Sequence, residues 1–402
     1  MKFDLVFEGG GAKGMVFVGA YEEFVNRKHT FGRLLGTSAG AITAALLAAG
    51  YTAREMLEAL TEKENGKSVF AGFMGAPPPF TREEVRTSAI RDLLRNINIK
   101  PLPGFLEDHM DDTISEMLAD NSKSRHFFAF VERGGWFSAG RFISWMQNKL
   151  DTGPWKDGQR HFSGMSLSQF FAATGIDLSV VASDTADSRL LVLNHRTAPD
   201  CPLVWAVRMS MSIPLVWDEV VWEKGWGSYT GRDIAGHAIV DGGILSNFPI
   251  ELFISGEPQV TRVMGPKQDN AVLGLLIDES LPVPQPPATK GILLDIDVKP
   301  AELKTVKRLG RLIDTMTGAH DKMVLDEFED LVVRLPAGGY GTTEFDMSDG
   351  RRNALVKAGG DAMGAYFEQR TAKRAVTKGL KADGAGKAQR AADRIAGRLL
   401  SL

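Results

Sequence analysis

Residues 36–40 read Gly-Thr-Ser-Ala-Gly, and this stretch constrains the fold more than any other. It matches the pattern G-x-S-x-G, in which a strand ends in a sharp turn and a helix begins directly after a serine. Such a turn needs glycine on both sides, because the backbones of strand and helix approach too closely for side chains. The alanine-rich stretch 39–49 is a strong helix former, and its first amides point towards the serine. Ser38 is therefore the candidate nucleophile.

A second glycine-rich stretch follows the first predicted strand, an apolar run at residues 3–7. Residues 8–14 read Glu-Gly-Gly-Gly-Ala-Lys-Gly and precede a predicted helix over 15–26. A loop between a strand and a helix presents backbone amides to an anion. It is not a Walker A loop, because Met and Val follow the last glycine where that motif has Lys and then Ser or Thr.

Two interpretations of this loop stay open. A dinucleotide-binding fingerprint matches at Gly9, Gly11 and Gly14, but that site also needs a carboxylate at the end of the second strand, where Ser38 and its turn stand instead. In the other interpretation the loop faces the serine and its amides form an oxyanion hole, which we favour because it explains both glycine-rich stretches.

A serine hydroxyl attacks an ester only when a neighbouring base accepts its proton. The apolar stretch 238–240 reads as a strand that ends in Asp241 and two glycines, which permit a tight turn. An aspartate that is partly desolvated at this place can take the proton directly, since apolar surroundings raise its pKa. His237 lies beside the same strand and His320 in a predicted helix, and neither has the loop context of a catalytic histidine. The sequence therefore predicts a Ser–Asp dyad.

These three motifs, in this order and spacing, resemble the patatin-like phospholipase family. The resemblance covers residues 3–254 and implies a three-layer α/β/α sandwich with a mostly parallel central sheet, followed by a C-terminal extension over 255–402. It also implies hydrolysis of fatty-acyl esters, as a phospholipase A or lysophospholipase, through an acyl-serine and without a cofactor. Carried over to this chain, Ser38 is the nucleophile, Asp241 the base, and Lys13 the basic residue of the loop. The resemblance also implies that the backbone amides of Gly10, Gly11 and Ala12 form the oxyanion hole. Supporting positions are Gly9, Gly14, Gly36, Gly40, Gly242 and Gly243, with weaker similarities at Ser212, Ile213, Pro214, Asn247 and Pro249.

Charge is distributed unevenly along the chain. The formal net charge is −3, yet residues 371–402 contain eight Lys or Arg and two Asp, which gives +6 there and leaves −9 for the rest. A basic segment on an acidic body favours an anionic partner, and its pattern predicts an amphipathic helix of the kind that lies on membranes. The predicted basic face comprises Lys387, Arg390, Arg394 and Arg398, and the apolar face Ala391, Ile395, Leu399 and Leu402. We therefore expect peripheral contact with anionic lipid.

Composition limits the other classes of function. Cys201 is the only cysteine, so an internal disulfide is impossible, and one cysteine with seven scattered histidines predicts no metal site. The charged N-terminus predicts no signal peptide, and the lack of an 18-residue apolar run predicts no membrane span. We expect a soluble cytoplasmic protein that binds phospholipid or another fatty-acyl ester and no nucleic acid. Alternatives to a hydrolase are a dinucleotide-binding protein and a non-catalytic membrane- or partner-binding module.

Local patterns predict further elements. Thr52 with Glu55, and Thr81 with Glu84, have the spacing of capping boxes and predict helices that begin near residues 53 and 82. The apolar run 127–131 predicts a strand.

Overall fold

A computed structural model describes residues 1–97, 122–284, 327–376 and 384–401, apart from residues 65, 157 and 343. The predictions for His320 and Leu402 lie outside these residues. The described chain is built around an eight-stranded mixed sheet. In chain order its strands are β1 (Lys2–Phe7), β2 (Thr30–Thr37), β3 (Leu178–Asp184), β4 (Arg189–Leu193), β5 (Val220–Val221), β6 (Ala238–Asp241), β7 (Ala271–Pro282) and β8 (Val332–Gly338).

The strand order is β5-β6-β3-β2-β1-β7-β8, and β4 pairs with β3 in addition. The neighbouring pairs β3-β2, β2-β1, β1-β7 and β7-β8 are parallel. The pairs β4-β3, β6-β3 and β5-β6 are antiparallel. Successive residues of a strand point to opposite faces of the sheet. Leu5 and Leu34 accordingly lie in the core on one face, and Val6 and Leu35 in the core on the other.

Helices cover both faces of the sheet, which confirms the predicted three-layer sandwich. In chain order the helices are α1 (Val16–Asn26), α2 (Ala39–Ala48), α3 (Ala53–Leu60), α4 (Arg82–Arg86), α5 (Ala89–Ile97), α6 (Ser122–Glu132), α7 (Gly140–Asp151), α8 (Leu167–Thr174), α9 (Leu203–Ser210), α10 (Glu251–Ile254), α11 (Pro258–Met264), α12 (Asp349–Val376) and α13 (Gly384–Ser401). The first layer contains α1, α2, α3, α7, α8, α9 and α12, and the second layer contains α10, α11 and α13. Short paired strands outside the main sheet are Lys63–Glu64 with Lys67–Ser68, Gly135–Phe137 with Leu215–Trp217, and Pro154–Trp155 with Gly158–Gln159.

Both predicted capping boxes are present. Thr52 and Thr81 each accept a hydrogen bond from the backbone amide three residues later, and the glutamate at that position bonds back to the threonine amide. Each box satisfies donors that the first turn of a helix leaves without partners, so α3 begins at Ala53 and α4 at Arg82.

The strand predicted for residues 127–131 is wrong, because these residues form the last part of α6. Phe127 and Val131 are exposed, whereas Phe128 and Ala129 are buried. A strand would place residues 127, 129 and 131 on one face, which does not fit a buried Ala129 between an exposed Phe127 and an exposed Val131. In a helix, positions 127 and 131 share a face and position 129 lies on the opposite side. A run of five apolar residues is too short to distinguish the two periods from sequence.

The sheet continues beyond residue 254, where the sequence resemblance ends. β7 pairs with β1, and β8 pairs with β7. The backbones of α1 and α12 touch, because a Cβ on Gly19 would lie 1.8 Å from the Val356 carbonyl oxygen, and one on Gly359 would lie 2.1 Å from that of Val16. The division into a domain over 3–254 and an extension over 255–402 stays a prediction.

The amphipathic helix predicted in the basic segment corresponds to α13. Its four cationic side chains are exposed, but Ala391, Ile395 and Leu399 are buried against α10 and α11. The apolar face is therefore not available to enter a membrane, which corrects the expectation of an interfacial helix. Contact through the basic face alone stays a prediction. Among the described residues, no helix combines the length and apolar character that crossing a bilayer requires.

Candidate active site

Two strands end at the same point on one edge of β3. Thr37, the last residue of β2, pairs with Val181, and Asp241, the last residue of β6, pairs with Ala182. Both pairings use the same edge of β3, because β4 pairs with these residues along the opposite edge. β2 runs parallel to β3 and β6 runs antiparallel, so the two strands meet end to end. This arrangement brings Ser38, the residue after Thr37, beside Asp241.

Ser38 lies on a strained turn between β2 and α2. Its φ of 52° and ψ of −118° lie outside the regions that non-glycine residues favour. A Cβ on Gly36 would lie 2.3 Å from the Gly40 carbonyl oxygen, and one on Gly40 would lie 2.3 Å from that of Phe7. The Ser38 amide donates a hydrogen bond of 3.0 Å to the hydroxyl of Ser210, at the end of α9. Close packing therefore explains why both positions that flank the serine turn are glycine.

Asp241 is buried, with 4% of its surface exposed. Its Oδ1 accepts a hydrogen bond of 2.8 Å from the Gly243 amide, and its own amide donates to the Ser212 carbonyl at 2.9 Å. Burial raises the pKa of the Asp241 carboxyl to about 7, while the Ser38 hydroxyl and the Gly243 amide lower it by stabilising the ionised form. Within the described residues, the buried Oδ2 of Asp241 has no hydrogen-bond partner.

The glycine-rich loop lies directly against the serine turn. A Cβ on Gly9 would lie 3.1 Å from Ser38 Cβ, and one on Gly14 would lie 2.7 Å from Ala39 Cβ. Gly11 has a φ of 55°, in the left-handed region that glycine adopts without strain. The backbone of the loop thus faces Ser38, which is the placement that the oxyanion-hole interpretation requires.

Two residues of the loop already have partners. The Ala12 amide donates a hydrogen bond of 2.8 Å to the Thr342 carbonyl, so it is not available to an oxyanion, which corrects the prediction that Ala12 is a donor. The amides of Gly10 and Gly11 make no bond of this kind to another described segment. The ammonium of Lys13 is buried and forms an ion pair with Glu279 on β7. Lys13 therefore ties the loop to the sheet.

Polar side chains outside the three motifs hold the motifs together. Asn247 Nδ2 donates hydrogen bonds to Glu8 Oε1 and to the Gly9 carbonyl, each at 3.1 Å, and the Gly9 amide donates to the Asn247 carbonyl at 3.2 Å. The sequence indicates Asn247 only through a weak family similarity. It carries no local signal for Ser210 or Thr342, because their roles depend on contacts between distant segments.

His237 does not reach the Asp241 end of β6. It precedes Asp241 by four residues, about 13 Å along an extended chain, and its Nδ1 lies 2.8 Å from Asp184 Oδ2. Asp184, Asp187 and His237 place possible metal-ligand atoms within 4.8 Å of one another. Asp187 is paired with Arg232, and Asp184 also accepts a backbone amide, so protein groups already satisfy this cluster.

A pocket beside Ser38 is lined mainly by apolar side chains. The large apolar residues are Met15, Ile42, Leu60, Phe70, Phe73, Met211, Ile213, Trp217, Phe345 and Met347. Glu344 and Arg352 are the charged residues in its lining. Part of the lining thus comes from the segment between β8 and α12, beyond residue 254. A pocket of this composition suits a hydrocarbon chain.

The fold and the site define a three-layer α/β protein with an apolar pocket at the carboxyl ends of its central strands. A family model described as Patatin-like phospholipase matches residues 5–254. The chain therefore belongs to the patatin-like phospholipase family. Membership implies lipid hydrolase activity and lipid substrates.

Individual relatives are distant. The uncharacterized protein YqhO of Bacillus subtilis (strain 168) is 26% identical over 381 residues, which cover 92% of this chain and 100% of the relative. The probable lipid hydrolase 463L of Invertebrate iridescent virus 6 is 21% identical over 250 residues, 62% of each chain. Among solved structures, VipD from Legionella pneumophila aligns at 16% identity and a TM-score of 0.45, over 91% of this chain and 67% of that one. ExoU of Pseudomonas aeruginosa, in complex with SpcU, aligns at 16% identity and a TM-score of 0.36, over 92% and 52%.

We predict that the buried carboxyl of Asp241 lowers the stability of the fold at neutral and alkaline pH. Its pKa is about 7 in the folded protein against an ordinary 3.8, so the folded state holds the proton more tightly. The stabilising contribution of this group is present at low pH and is lost as the pH rises through 7. At about 1.4 kcal/mol per pKa unit, Asp241→Asn should raise the free energy of unfolding by about 2–4 kcal/mol at pH 8.

Urea unfolding of the wild type and of Asp241→Asn at pH 8 and pH 4 measures this effect, and the difference should shrink at the lower pH. Asp361→Asn is the control, because Asp361 is an exposed partner of Lys357 whose loss should cost about 0.5 kcal/mol at most. A difference for Asp241→Asn that is the same at both pH values would contradict the prediction.

Proposed function

We propose that this protein is a lipid acyl hydrolase, of phospholipase A or lysophospholipase type, that cleaves fatty-acyl esters through an acyl-serine formed by a Ser38–Asp241 dyad. The observation that carries the proposal is the end-to-end meeting of β2 and β6, which sets a strained serine beside a buried carboxyl with a pKa of about 7. A pKa near the working pH is optimal for a general base.

In the proposed reaction, Asp241 accepts the hydroxyl proton of Ser38 as the serine oxygen attacks the ester carbonyl. The negative charge that develops on the carbonyl oxygen is stabilised by the Gly10 and Gly11 amides and by the start of α2. Protonated Asp241 then gives its proton to the departing alcohol oxygen, and the acyl group stays on Ser38. A water molecule loses a proton to Asp241 and attacks the acyl-serine. The bond between the acyl carbon and the serine oxygen then breaks, Asp241 returns the proton to that oxygen, and the fatty acid is released. Because the base must be ionised, kcat/KM should fall as the pH drops below about 7.

We predict that Ser38→Ala and Asp241→Asn each lower hydrolysis of an oleoyl ester by about a thousandfold or more, because nucleophile and base act as a unit. A fluorophosphonate probe should label Ser38 in the wild type, as peptide mapping by mass spectrometry would show. His237→Ala is the matched control, since His237 bonds to Asp184 at the far end of β6. Thermal unfolding of each variant confirms that the fold is retained.

Other outcomes of the same experiment favour other functions. A folded His237→Ala protein without activity would replace the dyad with a catalytic triad. A wild-type protein that neither reacts with the probe nor hydrolyses esters would favour a non-catalytic membrane- or partner-binding module. Binding of a dinucleotide to residues 9–14 would favour the nucleotide-binding alternative.

We predict that Gly11→Ala slows turnover more than it weakens substrate binding. The new Cβ would lie 2.2 Å from the Thr342 carbonyl oxygen, at a φ of 55°, so the loop must shift and its amides with it. Loss of one oxyanion donor costs about 10²–10³ in kcat. Steady-state kinetics should show this loss with a smaller change in KM, and Gly397→Ala, where a Cβ meets no atom within 4 Å, is the control. A loss confined to KM would argue against an oxyanion hole in this loop.

We further propose that the exposed basic face of α13 contacts anionic lipid. Each Lys or Arg near an anionic surface is worth about 1 kcal/mol, and salt screens this attraction. The double change Lys387→Gln with Arg390→Gln should therefore reduce sedimentation with phosphatidylserine vesicles at low salt, but not with zwitterionic vesicles. Equal binding of both proteins at low and high salt would exclude such contact.

A further inference from the structure

Arg352 lies in the first turn of α12 and lines the pocket that contains Ser38. Only 7% of its surface is exposed. Its Nη2 donates a hydrogen bond of 2.7 Å to Asp349, but within the described residues its buried Nε has no partner. A buried donor without an acceptor is costly, so a ligand that supplies the acceptor gains affinity from this position.

The charges around Arg352 do not cancel. Its one carboxylate partner, Asp349, is 56% exposed and is shared with Lys63, whose ammonium lies 2.9 Å from the other carboxylate oxygen. Glu344, the acidic residue in the pocket lining, is held by Arg351 through bonds of 2.7 and 3.0 Å. Arg352 and Lys63 carry two positive charges against the single negative charge of Asp349, so one net positive charge is left at this part of the pocket. Glu344 and Arg351 neutralise each other.

We infer that Arg352 is a substrate-recognition residue that binds the phosphodiester of a glycerophospholipid while its acyl chain occupies the apolar part of the pocket. The inference rests on the proposed function and names the feature of the substrate that this site selects. A phosphodiester carries one negative charge, which matches the one uncompensated positive charge. Its two free oxygens also fit the fork of a guanidinium, with one oxygen at Nε.

Arg352 stands outside residues 5–254, the part of the chain that the family model matches. The segment that carries it also supplies Thr342, whose carbonyl binds the glycine-rich loop, and Phe345, which packs against Trp217 with ring centroids 5.8 Å apart. The segment that would select the substrate thus contacts the site through both Thr342 and Phe345.

The test compares two substrates with the same oleoyl chain, oleoyl lysophosphatidylcholine and monooleoylglycerol, which differ in the phosphocholine group that contains the phosphodiester. Arg352→Gln should lower the ratio of their kcat/KM values about 10- to 100-fold, the size expected for a hydrogen bond to a charged group, with most of the loss in KM for the phospholipid. Arg352→Lys keeps the charge but loses the fork, so its ratio should be intermediate. Asp349→Asn removes the competing carboxylate, so its ratio should equal or exceed that of the wild type. Thermal unfolding of all variants shows whether they are folded.

An equal loss on both substrates in a folded Arg352→Gln protein would make Arg352 a structural residue and overturn the inference. A carboxylate offers the same pair of oxygens, so inhibition by oleate is measured in parallel. Relief of that inhibition with an unchanged substrate ratio would mean that Arg352 binds the released fatty acid, which also overturns it.

A binding measurement distinguishes a protein that is not a hydrolase from one in which Arg352 does not bind the phosphodiester. Binding of dihexanoyl phosphatidylcholine is measured by calorimetry in Ser38→Ala and in Ser38→Ala with Arg352→Gln, where no turnover is required. Binding about tenfold or more weaker in the double variant supports the inference even if the wild type hydrolyses neither ester. Equal binding by the two proteins would overturn it.

Discussion

The candidate site depends on the shared edge of β3, where β2 and β6 end against neighbouring residues. Thr37 and Asp241 reach Val181 and Ala182 from opposite directions, because β2 runs parallel to β3 and β6 runs antiparallel to it. The two strands share one edge because β4 occupies the other. A shift of one residue in either pairing would turn every side chain of that strand to the other face, and Asp241 would leave the serine. The distance between the two groups is thus set by backbone hydrogen bonds of the sheet, which are harder to displace than side chains.

This rigid frame carries two unfavourable features. Ser38 has strained backbone angles, and Asp241 is a carboxyl buried well enough to raise its pKa to about 7. Each is held by bonds from elsewhere in the chain, the serine amide by Ser210 and the aspartate amide by the Ser212 carbonyl. Both supports come from the end of α9 and the residues that follow it, so one short segment positions the two groups that must react together. Strain that is fixed in this way tends to coincide with function.

The sequence predicts what is local in this structure. The two glycine turns, the capping boxes and the strand before Asp241 each follow from a few consecutive residues. Contacts between distant segments are not predictable in this way. The Ala12 amide, for example, is occupied because the carbonyl of Thr342, which follows β8, accepts its hydrogen bond, and no pattern near residue 12 indicates this contact. Strand β7 is absent from the sequence analysis, although it is an interior strand of the sheet, between β1 and β8. The error at α6 has another cause, since a short apolar run fits either period.

Helix α13 and the pocket lie in different layers of the sandwich. The buried side of α13 packs among the side chains of the second layer, whereas the pocket is built from first-layer residues and the segment before α12. The sheet therefore stands between the C-terminal helix and the residues that line the pocket. A solid support or a fused protein joined at the end of α13 would therefore attach to a different face of the sheet from the residues that line the pocket. The end of α13 is thus a suitable place to immobilise this protein.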